Sequence, residues 1–338
     1  MTLADVQGQP TATATLERAL RAGRVHHAYR FEGPDGVGKE LAALGLAQAL
    51  LCDARDPVGC GRCASCERVV TLRSSEPHVP LHPDVVMVAR QLYAPEAIAV
   101  GSGKPQEKQA ISIDQIRTIV VSRAAYPPVE GRARIVIVRR AEEMSVAAAN
   151  ALLKSLEEPH PNHHFVLLTS HPNELLPTIR SRSLPVRFGP LPSAVMRSLL
   201  ATHGVAEDRI EGLVALAGGS MATALELGDD ERIAARDAFT EAILGAVAGR
   251  TFEAAVRVAE SVSDRAELAQ LLGALAVRFA ADGRGALGPG GRDDRAALRA
   301  ARMHEHVVAA VQRVEENNAG PSHVLLELAQ ELRAVARS

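Results

Sequence analysis

The feature that leaves the fewest folds open to this chain is a short strand, a glycine-rich turn and a helix, met in that order between residues 28 and 51. Ala28–Glu32 is an apolar run, Gly33-Pro34-Asp35-Gly36-Val37-Gly38-Lys39-Glu40 follows it, and a helix is expected from about Lys39 to Leu51. A turn of this kind aims backbone N–H groups and a helix N-terminus at phosphate oxygens, and its lysine reaches the outer phosphates. Gly33, Gly36, Gly38 and Lys39 are therefore the candidate residues for ATP or ADP. The final position departs from the pattern. An active loop ends in Ser or Thr, whose hydroxyl ligates Mg²⁺, whereas Glu40 brings a carboxylate next to the phosphates. Binding of the magnesium nucleotide is expected to be weakened or lost, and the residues alone leave present-day nucleotide binding open.

Further apolar runs at Asp84–Val88, Ala133–Val138, Phe165–Thr169 and Pro185–Phe188 alternate with helical stretches, the pattern of an α/β fold with a parallel sheet. In one of those stretches Ser145 caps a helix over Val146 to Glu158, and Pro159 stops it. Gly-Pro-Leu-Pro at 189–192 ends the alternation. Beyond it the chain is rich in Ala, Leu, Arg and Glu and reads as helical, with a flexible loop at Gly283–Asp294. The expected plan is an α/β domain over 1–189, a small helical domain over 190–228 and a second helical domain over 229–338. Gln91–Ala110 reads as a surface loop. At 338 residues, 47% hydrophobic and 23% charged, the chain has ordinary globular composition. No apolar run approaches the ~18 residues that would span a bilayer, and no secretory signal is visible, so a cytoplasmic location without membrane contact is expected. A formal net charge of −2 means that nucleic acid, if bound, would be met by a local patch or a partner.

Hydrolytic P-loop sites place an Asp, often followed by Glu, directly after a hydrophobic strand to hold Mg²⁺ and polarise water. Here Ile135-Val136-Ile137-Val138 runs into Arg139-Arg140. Two cations stand where two anions are needed. Glu142 and Glu143 come too late in register and are expected in the turn before Ser145. The 4 cysteines fall in one segment, Cys52-x7-Cys60-x2-Cys63-x2-Cys66. Their spacing suits a closed tetrahedral Zn²⁺ of structural type. An iron–sulfur cluster is the alternative on ligand chemistry. The histidine pairs 26–27 and 163–164 are expected in packing roles. Leu152, Leu153 and Leu156 form a core stripe that leaves Lys154, Glu157 and Glu158 solvated.

Several stretches together resemble the bacterial DNA polymerase III clamp loader. They are Val6-Gln7-Gly8-Gln9, His26-His27-Ala28-Tyr29-Arg30-Phe31, the four-cysteine insert, Ile113-Asp114-Gln115-Ile116-Arg117, the run from Asn150 to Pro159, and Thr178-Ile179-Arg180-Ser181-Arg182-Ser183. The resemblance implies an AAA+ P-loop α/β domain with a zinc module at 52–66, a small helical lid, and a C-terminal helical collar that holds a ring of related subunits together. Three departures liken the chain to the delta-prime members rather than to the gamma/tau motor. These are Glu40, Arg139-Arg140, and Ala222 where the motor's lid offers an arginine to the γ-phosphate. By the same resemblance, Arg182 is a finger supplied in trans to the ATP of an adjacent motor subunit, and Ser183 replaces the motif's cysteine without altering it. The implied partners are the gamma/tau and delta subunits, with the sliding clamp and primed DNA met through the complex. Two rival readings are an active gamma/tau-type ATPase using Glu142 or Glu143, and a zinc-containing nucleic-acid-binding or scaffold protein.

Overall fold

The computed structural model describes residues 2–93, 98, 110–249, 262, 265–288, 293–316 and 321–337. Most of the loop expected over 91–110 lies outside the described residues. Chain packing divides the protein into two units, Met1–Leu225 and Glu226–Ser338.

The first unit is built on a five-stranded parallel sheet of β1 (Ala28–Glu32), β2 (Val85–Val88), β3 (Arg134–Val138), β4 (His163–Thr169) and β5 (Leu184–Arg187), in the order β2-β3-β4-β1-β5. Every residue of β2 and β3 is buried. That is the signature of strands covered on both faces, and it explains why they read as unbroken apolar runs. Only β5 is mostly exposed, with Val186 alone buried, and it carries Pro185. A proline lacks the N–H that an inner ladder needs, so an edge strand is where it fits.

Helices cover the sheet. They are α1 (Pro10–Arg21), α2 (Lys39–Leu51), α3 (Ala64–Val70), α4 (Ile113–Gln115 continuing through a π-helical Ile116–Val121 to Ser122–Ala124), α5 (Val146–Glu157) and α6 (Pro177–Ser181). Helix α2 is buried on nearly every side, as its all-round apolar sequence requires. Helix α5 is capped by the Ser145 hydroxyl, which accepts from the Ala148 N–H, and it buries Leu152 and Leu156 while Lys154, Glu157 and Glu158 stay exposed. Helices α7 (Ser193–Thr202), α8 (Glu207–Leu216) and the start of α9 (Met221–Gly228) complete the unit. Gln9 ties the N-terminal segment to two other places. Its amide donates to the carbonyls of Val37 (3.2 Å) and Gly189 (2.7 Å), and it accepts from the Gly189 N–H (3.1 Å).

Asp84, fully buried just before β2, organises the turn that leads into β3. It accepts from the backbone N–H groups of Val129 (2.6 Å), Glu130 (3.0 Å) and Gly131 (2.7 Å), and from the Arg134 guanidinium (3.2 Å). Burial would raise this carboxyl, but those donors hold it below the ordinary Asp range.

The described elements of the second unit are helices: α10 (Asp230–Val247), α11 (Arg265–Ala286), α12 (Asp294–Glu316) and α13 (Pro321–Arg337). Phe239, Ile243, Leu272, Leu275, Val307 and Leu328 are among the side chains that fill its core. The flexible loop expected at Gly283–Asp294 is shorter at both ends. Residues 283–286 continue α11, and Asp294 opens α12. A sequence window rich in glycine reads as a loop, yet Gly283 lies in α11 close to Ala297 and Ala300 of the next helix, where an added Cβ would be in van der Waals contact with both.

Candidate functional site

Because β1, β3 and β4 are parallel neighbours, the segments leaving their C-terminal ends converge on one crevice, the usual ligand position in an open α/β sheet. These segments are the turn after Glu32, Arg139-Arg140 after Val138, and Ser170 after Thr169. The glycine turn takes the expected form. Gly36 (φ 69°) and Gly38 (φ 96°) hold left-handed backbone that favours glycine, and Gly38 caps α2.

Lys39 is buried, and its ammonium is already engaged. It donates to the carbonyls of Gly33 and Pro34 (2.6 Å to the latter) and to the Ser170 hydroxyl (3.2 Å), and it lies 3.5 Å from the Asp35 carboxylate. Burial lowers its pKa, against the pull of Asp35. Glu40 points at Arg139 and forms a direct ion pair with it. Arg140, whose own backbone is left-handed (φ 45°), bridges Asp35 at 2.7 Å and Glu143 at 3.3 Å. Burial works to raise the Asp35 carboxyl, but the Ser170 hydroxyl and the Arg140 guanidinium outweigh it and hold the group below its usual range.

Glu142 and Glu143 lie in a 3₁₀ turn past the end of β3, as their register implied. The Glu142 carboxylate is turned back to accept from the Ser170 N–H at 3.0 Å. The two arginines after β3 are therefore matched by carboxylates, Arg139 by Glu40 and Arg140 by Asp35 and Glu143. The residues of a magnesium site do not fit here. A hydroxyl at position 40 and carboxylates at 139 and 140 are what the ion would need, and an arginine–glutamate pair stands instead.

The lid segment closes over the same loop. The Met221 N–H donates to the Gly36 carbonyl (3.1 Å), and a Cβ on Gly36 would come within 2.3 Å of the Ala222 nitrogen and 2.9 Å of the Ser220 hydroxyl. Ala222, the position read as lacking a sensor arginine, therefore lies directly against the phosphate loop.

Arg182 caps α6 just before β5, at the end of the sheet where β1 begins, whereas the phosphate loop leaves the other end of β1. Its guanidinium pairs with Glu157 of α5 at 2.6 Å and donates to the carbonyl of Thr178 (3.1 Å) and the hydroxyl of Ser181 (3.2 Å). It borders an open groove of about 410 Å³ lined by His26, His27, Leu156 and Glu157. Ser183 is buried and has its own task, donating to the Ile179 carbonyl (2.7 Å) and accepting from Arg30 (2.9 Å). Arg182 and Lys39 thus lie toward opposite ends of strand β1.

The four cysteines meet. The Sγ atoms of Cys52, Cys60, Cys63 and Cys66 all lie within 4.8 Å of one another, with Cys52 and Cys63 4.0 Å apart. Sulfurs around a tetrahedral ion with ~2.3 Å bonds sit roughly 3.8 Å apart, so the cluster fits a metal with little movement. Cys63 caps α3, where the Cys66 N–H donates to its sulfur at 3.5 Å. Burial opposes its ionisation, but that donor and its neighbours bring the thiol down to about 6. Burial pushes Cys66 the other way. Among the described residues no other group of His, Cys, Asp and Glu could hold an ion, and the four histidines serve packing. His26 stacks on His27 at 4.3 Å, and a ring nitrogen of His164 lies 3.1 Å from the His26 carbonyl.

Reading along the chain missed Asp35, Ser170 and Glu157 as partners. Each becomes adjacent to its cation only through strand order or helix packing. No described helix is long and apolar enough to cross a membrane.

The gamma/tau subunit of DNA polymerase III from Mycobacterium tuberculosis is 40% identical over 223 residues, a match covering 64% of this chain and 34% of that protein. The delta-prime subunit of Pseudomonas aeruginosa is 34% identical over 60% of this chain and 55% of its own length. That of Bacillus subtilis is 30% identical over 67% and 61%. The chain thus spans about a third of the gamma/tau relative and little more than half of the delta-prime ones. A gamma subunit-related protein of DNA polymerase III from Thermotoga maritima shares the fold, with a TM-score of 0.53 at 19% identity over 94% of this chain and 98% of that one. The family model described as DNA polymerase III, delta subunit, matches residues 8–192, more than half of the sequence, and the chain belongs to that family.

Proposed function

We propose that this chain is a delta-prime-type clamp-loader subunit that hydrolyses no ATP itself and supplies Arg182 to the ATP site of an adjacent gamma/tau motor subunit. One observation carries the reading. The cations at the phosphate loop are already engaged, with Arg139 on Glu40, Arg140 on Asp35 and Lys39 on the loop's own carbonyls. Arg182 is held by a half-exposed pair with Glu157 and by bonds to Thr178 and Ser181 of its own turn, beside an open groove. A guanidinium delivered across a subunit boundary neutralises charge developing on the transferred phosphoryl group, which is worth roughly 10³–10⁵ in rate where such fingers act.

In this reading the segment 1–189 is the AAA+ domain, 190–228 its lid and 229–338 the collar. The Cys52, Cys60, Cys63 and Cys66 site holds structural Zn²⁺. The complex, with delta and gamma/tau subunits, loads a sliding clamp onto primed DNA. The test is reconstitution with those subunits. Arg182→Ala is expected to leave assembly intact and to depress ATP turnover and clamp loading by at least an order of magnitude. An unchanged rate removes Arg182 from the mechanism.

The 40% identity to a gamma/tau subunit favours a second reading, an active motor. It is separated by the isolated chain. ATP turnover that disappears with Lys39→Ala supports the motor and refutes the proposal.

A further inference from the structure

Helix α12 carries an edge of cations. At 100° per residue, positions 295, 299, 302, 306 and 313 fall within about 60° of one another on the helix. Along the second half of that edge the cations are matched by α13. Arg313 pairs with Glu327 (2.9 Å) and Glu331 (3.1 Å), and a ring nitrogen of His306 lies 3.2 Å from Glu331. The two carboxylates stand four residues apart on α13, one turn of helix, so the edge already binds an acidic helix within the chain.

The two helices run antiparallel, and Glu331 sits beside both His306 and Arg313. Arg302, Arg299 and Arg295 lie on the same edge of α12, N-terminal to those pairs. All three are exposed, and no described carboxylate pairs with any of their guanidiniums. Leu298, 56% exposed, sits between Arg295 and Arg302 on the helix surface. Arg295, in the first turn of α12, opposes the helix dipole rather than stabilising it. The three arginines form a local positive stripe on a chain whose net charge is −2.

We infer that Arg295, Arg299 and Arg302, with Leu298 as the apolar contact, dock an acidic helix of a neighbouring clamp-loader subunit, which continues along α12 the role that Glu327 and Glu331 of α13 play within the chain. The inference rests on reading the C-terminal helices as the assembly element. The partner is a protein helix with carboxylates at i and i+4, because that is the ligand the same edge takes internally.

The test titrates fluorescently labelled full-length chain with the gamma/tau- and delta-type subunits of the same organism, at low and high salt. Two variants are compared with wild type, R295Q/R299Q/R302Q and R295E/R299E/R302E, with circular dichroism to verify folding. The neutral variant alone decides if the reversed one does not fold. Loss of three charge pairs at an interface is expected to weaken assembly on the order of tenfold or more and to flatten its salt dependence. Variants that assemble with wild-type affinity overturn the inference. So do variants that assemble normally and lose affinity for labelled duplex or single-stranded DNA, which would make the stripe a nucleic-acid surface. A wild-type chain that fails to assemble refutes the proposed function as well, so the two failures are distinguishable.

Discussion

The Glu40–Arg139 pair stands where a magnesium hydroxyl ligand and an acidic residue would face each other, and it can be broken from either side. The side chains are 36% and 28% exposed, and the Arg139 Nε is buried without a partner, so Glu40 is what compensates this guanidinium. A fully exposed pair contributes about 0.2–1 kcal/mol, and orphaning one member of a fully buried pair costs about 3–5 kcal/mol. Glu40→Ala lies between, at about 1–2 kcal/mol. For a folding unit of 225 residues that lowers Tm by roughly 3–6 °C. Arg139→Ala is expected to cost a similar amount and the double variant less than the sum, with a coupling of about 1 kcal/mol. The assay is thermal unfolding of the four proteins, with and without magnesium and ATP. Wild type is expected to show no nucleotide-dependent shift. Glu40→Thr with Arg139→Asp rebuilds a hydroxyl and a carboxylate for the ion, and nucleotide at 100-fold above its Kd would then stabilise the fold by about 2.7 kcal/mol. A magnesium- and ATP-dependent rise in the Tm of wild type, or strict additivity in the cycle, refutes the idea that the pair replaces the metal.

Elemental analysis is expected to find one zinc per chain, with iron and visible absorbance overturning the assignment. Chelation, or acidification far enough to protonate the ligands, should release the ion and unfold the 52–66 module, because the ligands bind as thiolates. Gly36→Ala should destabilise the first unit by about 1–3 kcal/mol, since the new Cβ meets Ala222 in a left-handed backbone, and should speed amide exchange at Met221. If exchange there is unchanged, the lid is not held by the phosphate loop. Asp84 has a lowered folded pKa, so its stabilisation is fully present above the unfolded value near 4 and is lost as pH falls through the folded one. Asp84→Asn should cost about 3 kcal/mol near neutrality and remove that part of the acid sensitivity, as urea titrations at pH 7 and pH 3 would reveal.

Five strands, the phosphate loop, α2, the cap at Ser145 and the cysteine ligand set were all legible along the chain, because each depends on residues close in sequence. Backbone hydrogen bonding, side-chain periodicity and metal-ligand spacing act over a few residues. The absent hydroxyl and the absent acids at 40, 139 and 140 were equally plain, since a missing functional group needs no fold to be noticed. The Gly283–Asp294 loop was overextended for the converse reason. Glycine is a local signal, and the packing of Gly283 on Ala297 and Ala300 is not.

How the altered charges are used was decided in three dimensions. Strand order β2-β3-β4-β1-β5 brings Ser170 and Arg139 to the phosphate loop across 131 and 99 residues of chain, and nothing local to either residue anticipates that contact. The same holds for Arg182 on Glu157, and for Arg313 of α12 on Glu331 of α13. An ion pair forms between whichever charges packing places within a few ångströms, so composition and motif reveal which groups a site lacks, while the tertiary fold alone decides which group answers each charge that remains.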